Sequence, residues 1–300
     1  MNIIGHTKER QYLESIVQRK NISQMYLFLG PESIGKNSVA FDFACALVGE
    51  PSFEASAEKP MPLNVRVLEP EMVVRRGVAR KKTLGVLLVR EELRILKTSP
   101  GTGRYTVLIV RDAHLLTQAA QNLLLKFSEE PDATAVIIFV THDRSSLLET
   151  LCSRLEEIRF RFVGENILKK EGKEHGLMIG TDIPDFFFQL GRPGILFQAK
   201  ENPKRFLKKK EQLTKLFRLS ALSLRERLAL AEELAVDVPS SIQLLEWFIP
   251  GLYQKAKTLS AENQAKHLLL VASIQETLFE LKRADVQPRM TLEHLFLSLR

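Results

Sequence analysis

The stretch Gly30-Pro31-Glu32-Ser33-Ile34-Gly35-Lys36-Asn37-Ser38 has the spacing G-x-x-x-x-G-K. In such a loop the backbone amides, with those of the helix that follows, cradle nucleotide phosphates while the lysine reaches the terminal ones. The chemistry next calls for a hydroxyl on magnesium, but Asn37 stands there, and Ser38 comes one residue late, about 100° further round a helix. A second strand should then supply an acidic pair to hold the metal and orient water. The apolar run Tyr105 to Val110 ends instead in Arg111-Asp112-Ala113-His114. Arg111 takes the place of the metal-organising carboxylate and repels Mg2+, which leaves Asp112 where the water-activating acid belongs. The competing reading of Asp112 is a cap on the helix from Leu115 to Phe127. A third candidate is Ser153-Arg154, opening the final strand. An arginine there is either delivered to a neighbour's γ-phosphate, as trans-acting arginines are, or paired locally with Glu149 or Glu156. Hydrolase chemistry lacks a G-x-S-x-G turn, and His114 and His142 have no metal-ligand spacing with a third ligand.

These residues need a sheet to hold them. Met25 to Leu29, Tyr105 to Val110 and Ala135 to Val140 are apolar, β-branched or aromatic runs bounded by turn residues, as buried parallel strands are. Val65 to Leu68 and the alternating Glu157 to Phe162 add two weaker strands, the last at an edge. Helical patterns lie between them at 9–17, 37–47, 89–96 and 115–127. In the last of these Leu115, Ala119, Leu123 and Phe127 form the stripe that packs on the sheet. Strands alternating with helices predict a doubly wound α/β domain over residues 1–163. Beyond it the strand signals stop. Residues 164–205 predict a small helical domain with a turn at Leu190-Gly191-Arg192-Pro193-Gly194. Residues 206–300 predict a helical bundle, broken at Pro239 and Pro250 and turning near Asp285 to Pro288.

Composition agrees with a globular chain: of 300 residues, 45% are hydrophobic and 26% charged, which excludes wholesale disorder and fibre classes. Cys45 and Cys152 build neither a disulfide framework nor a four-thiolate zinc site. The first residues lack the apolar core of a secretory signal, and no run approaches the roughly 18 apolar residues of a membrane span, so a cytoplasmic setting is expected. A net charge of +7 admits an anionic partner. It concentrates in Lys200, Lys204, Arg205, Lys208, Lys209, Lys210 and Lys215, and in a second knot of Arg75, Arg76, Arg80, Lys81 and Lys82. Each knot either meets phosphates or forms a solvated face.

At this point the sequence resembles the AAA+ clamp-loader family of bacterial replication, in particular its delta-prime type of DNA polymerase III subunit. The residues that carry the likeness are Ile3-Ile4-Gly5-His6, the loop from 26 to 36, the segment 119–131 ending Ser128-Glu129-Glu130-Pro131, Ser153-Arg154-Leu155 where the family has Ser-Arg-Cys, and Gln287 to Met290 followed by Leu292 to Leu297. The resemblance implies an α/β then all-α fold: a P-loop parallel-sheet domain, a small helical lid and a C-terminal oligomerising collar. It implies a clamp-loader subunit that supports ATP-dependent loading of a sliding clamp onto primed DNA, with Arg154 acting in trans, Ser153 positioning it, and little ATPase of its own. Implied partners are tau/gamma-type motor subunits, a delta-type subunit, and the clamp and primed DNA through the complex. Gly30, Pro31, Gly35, Lys36, Asn37 and Ser38 would form a degenerate phosphate loop and Asp112 a degenerate second motif. ATP binding is left open, Mg2+ lacks its ligands, and the family's four-cysteine zinc module has no cysteine in residues 50–70. The family's second sensor arginine falls near Gly194; Arg192 lies two residues early, so that role is not transferred.

Overall fold

The computed structural model describes residues 3–50, 61–75, 77–98, 105–129, 134–177, 185–256, 261–283 and 286–298. The described residues divide between two compact units, Met1–Glu71 with Lys82–Phe197, and Met72–Lys81 with Gln198–Arg300.

The first unit runs α1 (Thr7–Arg19), β1 (Met25–Leu29), α2 (Lys36–Val48) and β2 (Val65–Leu68). After the excursion into the second unit, described below as β3 and β4, it continues with α3 (Val86–Thr98), β5 (Thr106–Val110), α4 (Gln118–Glu129), β6 (Ala135–Thr141), α5 (Glu149–Cys152) and β7 (Glu156–Arg159). Helices α6 (Glu165–Glu174) and α7 (Asp185–Gln189) follow, and the chain passes from this unit to the second within α8 (Pro193–Glu201), after Phe197. The first unit's five strands pair in parallel in the order β2-β5-β6-β1-β7, with β7 at an edge. Every residue of β5 and β6 is buried, so both faces of the sheet must be covered. Alternate strand side chains point to opposite faces. Phe28, Val107, Ile109, Val136 and Ile138 meet Leu13 and Ile16 of α1 and Val39, Phe43 and Leu47 of α2. Leu27, Leu108, Val110, Ile137 and Phe139 meet Val89 and Leu93 of α3, Leu124 and Phe127 of α4, and Leu151 of α5.

Two expectations about this unit are corrected. Three of the four positions of the α4 stripe are displaced by one residue: Leu116, Ala120 and Leu124 are buried and Ala119 is exposed, while Phe127 is buried as expected. A single 3-10 turn over Ala113–Leu115 comes first, and the α-helix starts only at Gln118, with the Thr117 hydroxyl accepting from the Ala120 amide at 3.3 Å. Ser153 and Arg154 lie in the turn before the last strand, which begins at Glu156.

The second unit opens with an antiparallel hairpin, β3 (Met72–Arg75) and β4 (Val78–Lys81), absent from the sequence reading. It is completed by α9 (Pro203–Phe217), α10 (Leu224–Ala235), α11 (Val238–Ala256), α12 (Ala261–Leu281) and α13 (Pro288–Ser298). The Ala79 amide donates to the Val236 carbonyl at 2.8 Å, and the Arg80 guanidinium donates to the carbonyls of Arg283 (2.6 Å) and Val286 (2.9 Å) beyond the end of α12. Much of the basic run is also spent internally. Lys208 and Lys215 both pair with Glu233, Arg205 with Asp237, and Lys209 is buried over the ring of Trp247. Pro250 does not break its helix; it lies inside α11, where Leu244, Leu245, Trp247, Phe248 and Leu252 are buried and their packing outweighs one lost backbone bond. Leu292, Leu295 and Phe296 of α13 are buried, whereas Leu299 lies outside the described residues, as do Arg76, Glu130, Pro131 and Asp285. Among the described residues no helix is long and apolar enough to cross a membrane.

Candidate functional site

Parallel strands bring their C-terminal ends to one edge of a sheet, where loops gather side chains from distant parts of a chain. The loop 30–35 leaves β1 there, Arg111 and Asp112 leave β5, and His142 and Asp143 leave β6. The Gly30 amide donates to the Thr141 carbonyl, which stitches the loop to the end of β6. Gly35 closes the loop at φ 102°, a conformation open to glycine and costly for other residues.

Each carbonyl from residue 30 to 34 receives a donor. Lys36 Nζ donates to Gly30 (2.7 Å) and Pro31 (2.5 Å), Arg192 Nη1 to Glu32 (3.1 Å), the Gly194 amide to Ser33 (2.8 Å), and His6 Nε2 to Ile34 (2.7 Å). Lys36, Arg192 and His6 are all buried. Burial lowers the pKa of His6, which matches a neutral ring donating to a carbonyl. The Glu32 carboxylate meets His142 Nδ1 at 3.2 Å, and the His142 ring lies edge-on to His114, 4.2 Å between centroids. Ser33, His6 and Asp112 adopt positive φ, so three non-glycine residues in this region hold sparsely populated backbone conformations. Lys36 therefore lies against its own loop, while Asn37 is exposed and Ser38 half-buried at the start of α2.

Arg192 and Gly194, the positions at which no sensor role was transferred, are thus in direct contact with the loop. Arg192 also stacks 5.5 Å over the Phe162 ring, and a Cβ on Gly194 would come within 2.8 Å of the Ser33 carbonyl oxygen. No local pattern signals either contact. A buried arginine about 160 residues from its partner leaves only the turn residues around it as a trace.

The second motif is arranged differently from expectation. Arg111 donates through Nη1 to Glu69 at 2.7 Å, beyond the end of β2, and the site is thus turned toward the sheet's far edge. Asp112 precedes the 3-10 turn without a side-chain cap bond, and the cap of α4 is Thr117. Neither cysteine offers a nucleophile: burial raises both thiols, that of Cys45 to about 11.

Ser153 and Arg154 lie at the opposite end of the strands, before the start of β7. β7 begins two residues after Arg154, and its Glu156 is level with Tyr26 near the start of β1, whereas the loop follows the end of β1 at Leu29. At about 3.3 Å per residue the strands hold the two sites roughly 10 Å apart before the loop is counted. Arg154 Nη1 donates to the Thr150 carbonyl and Nη2 to the Glu129 carboxylate, each at 3.2 Å. Ser153 Oγ donates to the same Thr150 carbonyl at 3.0 Å. The nearby acids Glu149 and Glu156 are engaged elsewhere, by Arg144 and by the Tyr12 hydroxyl.

Comparison with known proteins bears on this arrangement. A family model described as DNA polymerase III, delta subunit, matches residues 5–163. The chain is 29% identical over 168 residues to DNA polymerase III subunit tau of Bacillus subtilis, covering 53% of the chain and 28% of the relative. It is 29% identical over 139 residues to DNA polymerase III subunit delta' of Pseudomonas aeruginosa, covering 45% and 42%. These matches span less than half of either relative. Among solved structures, a DNA polymerase III gamma subunit-related protein of Thermotoga maritima shares the fold, with a TM-score of 0.60 at 19% identity over 96% of this chain and 98% of that one.

Proposed function

The chain belongs to the DNA polymerase III delta subunit family, and from that premise we propose that it is a delta-prime-like subunit of an AAA+ clamp loader, one that serves ATP hydrolysis in a neighbour rather than its own. Its tasks on this reading are to deliver Arg154 to the γ-phosphate of ATP held by an adjacent motor subunit, and to contribute residues 206–300 to an oligomerising collar. Its partners are tau/gamma-type and delta-type subunits and, through the complex, the sliding clamp and primed DNA.

The observation that carries this reading is that Arg154 and Lys36 lie at opposite ends of the neighbouring strands β7 and β1, Arg154 before the start of one and Lys36 beyond the end of the other. An arginine so placed does not serve phosphates on its own loop. Exposed at a turn, it is presented to whatever packs against that end of the strands. Negative charge develops on the leaving phosphate's oxygen as its bond to the γ-phosphorus breaks, beside the charge spread over the γ-phosphoryl oxygens, and a guanidinium delivered by a neighbour offsets it through two N–H donors. The chain's own loop does not fit a magnesium ion. The position for a hydroxyl holds the exposed amide of Asn37, and the position for a carboxylate holds Arg111, whose charge is paired with Glu69. No step is therefore routed through a metal bound to this chain.

The reconstituted complex tests the proposal. Arg154→Ala removes one exposed ion pair, so folding and assembly should be unchanged within about 1 kcal/mol. The complex's DNA- and clamp-stimulated ATPase and its loading rate should drop, because removing such an arginine costs on the order of 10³ to 10⁵ at the site it serves. The isolated wild-type chain should turn over ATP far more slowly than a motor subunit. Unchanged ATPase and loading in the Arg154→Ala complex, or brisk turnover by the chain alone that Lys36→Ala abolishes, would reject the reading.

A further inference from the structure

Arg154 does not stand alone at its end of the strands: the end of α4 meets it. We infer that Glu129 is a positioning residue for Arg154, setting the plane and location of the guanidinium that the proposed trans reaction uses. This inference rests on that reading.

The first ground is the cost of Glu129 where it stands. It is the last residue of α4, where unpaired carbonyls give the helix end a partial negative charge. A carboxylate there works against its own helix, so helix stability does not account for it. The cation of Arg154 at 3.2 Å does.

The second ground is geometry. The Thr150 carbonyl and the Glu129 carboxylate hold two different nitrogens of one rigid planar group, which fixes its orientation as a single contact would not. Five donors are available on a guanidinium and two are used among the described residues, so the group keeps donors for an incoming phosphate. The Arg154 side chain is 41% exposed and remains accessible. The third ground is the competition. Glu149 and Glu156 lie nearer in sequence, yet Arg144 and Tyr12 occupy them, and the arginine turns to a residue 25 positions away.

Glu129 touches no reacting atom on this account and acts only through Arg154. The test is a double-mutant cycle in the reconstituted complex, with DNA- and clamp-stimulated ATPase as the signal and urea unfolding of the subunit as a control. Displacing a reacting group by about an ångström carries a large rate cost, so Glu129→Ala should remove about half or more of the activity that Arg154→Ala removes. Its unfolding midpoint should stay near wild type. Glu129→Gln keeps an oxygen acceptor for the same N–H and should restore most of the loss. In an Arg154→Ala background, Glu129→Ala should have no further effect. Full activity of Glu129→Ala beside a deficient Arg154→Ala would overturn the positioning role and leave the trans arginine standing, as would a Glu129→Ala effect that persists without Arg154. If Arg154→Ala itself is without effect, both fall together.

Discussion

Lys36 holds the phosphate loop together from within. Its ammonium is buried and donates to the carbonyls of Gly30 and Pro31. Removing a charged donor from half-buried acceptors costs more than losing an ordinary hydrogen bond between neutral groups, because the oxygens are left partly shielded from water. Lys36→Met should therefore lower stability by about 2 kcal/mol, read as a shift in the urea midpoint at constant slope. An unchanged midpoint would mean that water or a relaxed loop satisfies the two carbonyls, and Lys36 would then be a ligand in waiting. Lost nucleotide binding in any Lys36 variant has to be judged against this structural role. The sequence displayed the loop's residue types at the right spacing, so its presence was legible. The inward fold of Lys36 was not, nor were Arg192 and Glu129, whose roles come from partners 160 and 25 residues away.

Elements show where reading by period succeeds and where it slips. Three buried strands were legible because a parallel strand covered on both faces must be a continuous apolar run, and β1, β5 and β6 are such runs. The register of α4 was misread by one residue at three of its four stripe positions because a 3-10 turn, with its tighter repeat, precedes the helix and shifts the phase. The hairpin β3–β4 was hidden because its residues read as a basic knot; the contacts that hold it come from Val236, Arg283 and Val286 of its own unit, far along the chain. Helix α4 also owes its position to a polar anchor. Gln121, 3% exposed, donates to the carbonyls of Leu116 and Ser146 and accepts from the Leu148 amide. Gln121→Leu keeps the bulk and strands three backbone groups. A loss of about 2 to 4 kcal/mol in urea unfolding is expected, with faster amide exchange at Leu148; a loss near zero would mean the 146–148 segment re-pairs by itself.

At the scale of the whole molecule, the chain leaves the first unit after Glu71, forms a hairpin with the second, and returns at Lys82. A two-stranded hairpin is marginal without something to pack on, and this one relies on the Val236 carbonyl and on the carbonyls that Arg80 holds. Deleting residues 198–300 removes all of these. Trypsin should then cut readily at Arg75, Arg80, Lys81 or Lys82 in the shortened chain and slowly there in the full one, as mass spectrometry of the fragments would reveal. Equal resistance in both would show that the hairpin stands without the helices. The same threading limits how such a protein can be recombined. No single crossover separates the two units intact, because either half-gene would carry one unit lacking a piece or holding a stray one. A chimera that borrows its last hundred or so residues from a relative must borrow residues 72–81 too, so two stretches far apart in the gene are inherited, and drift, as one.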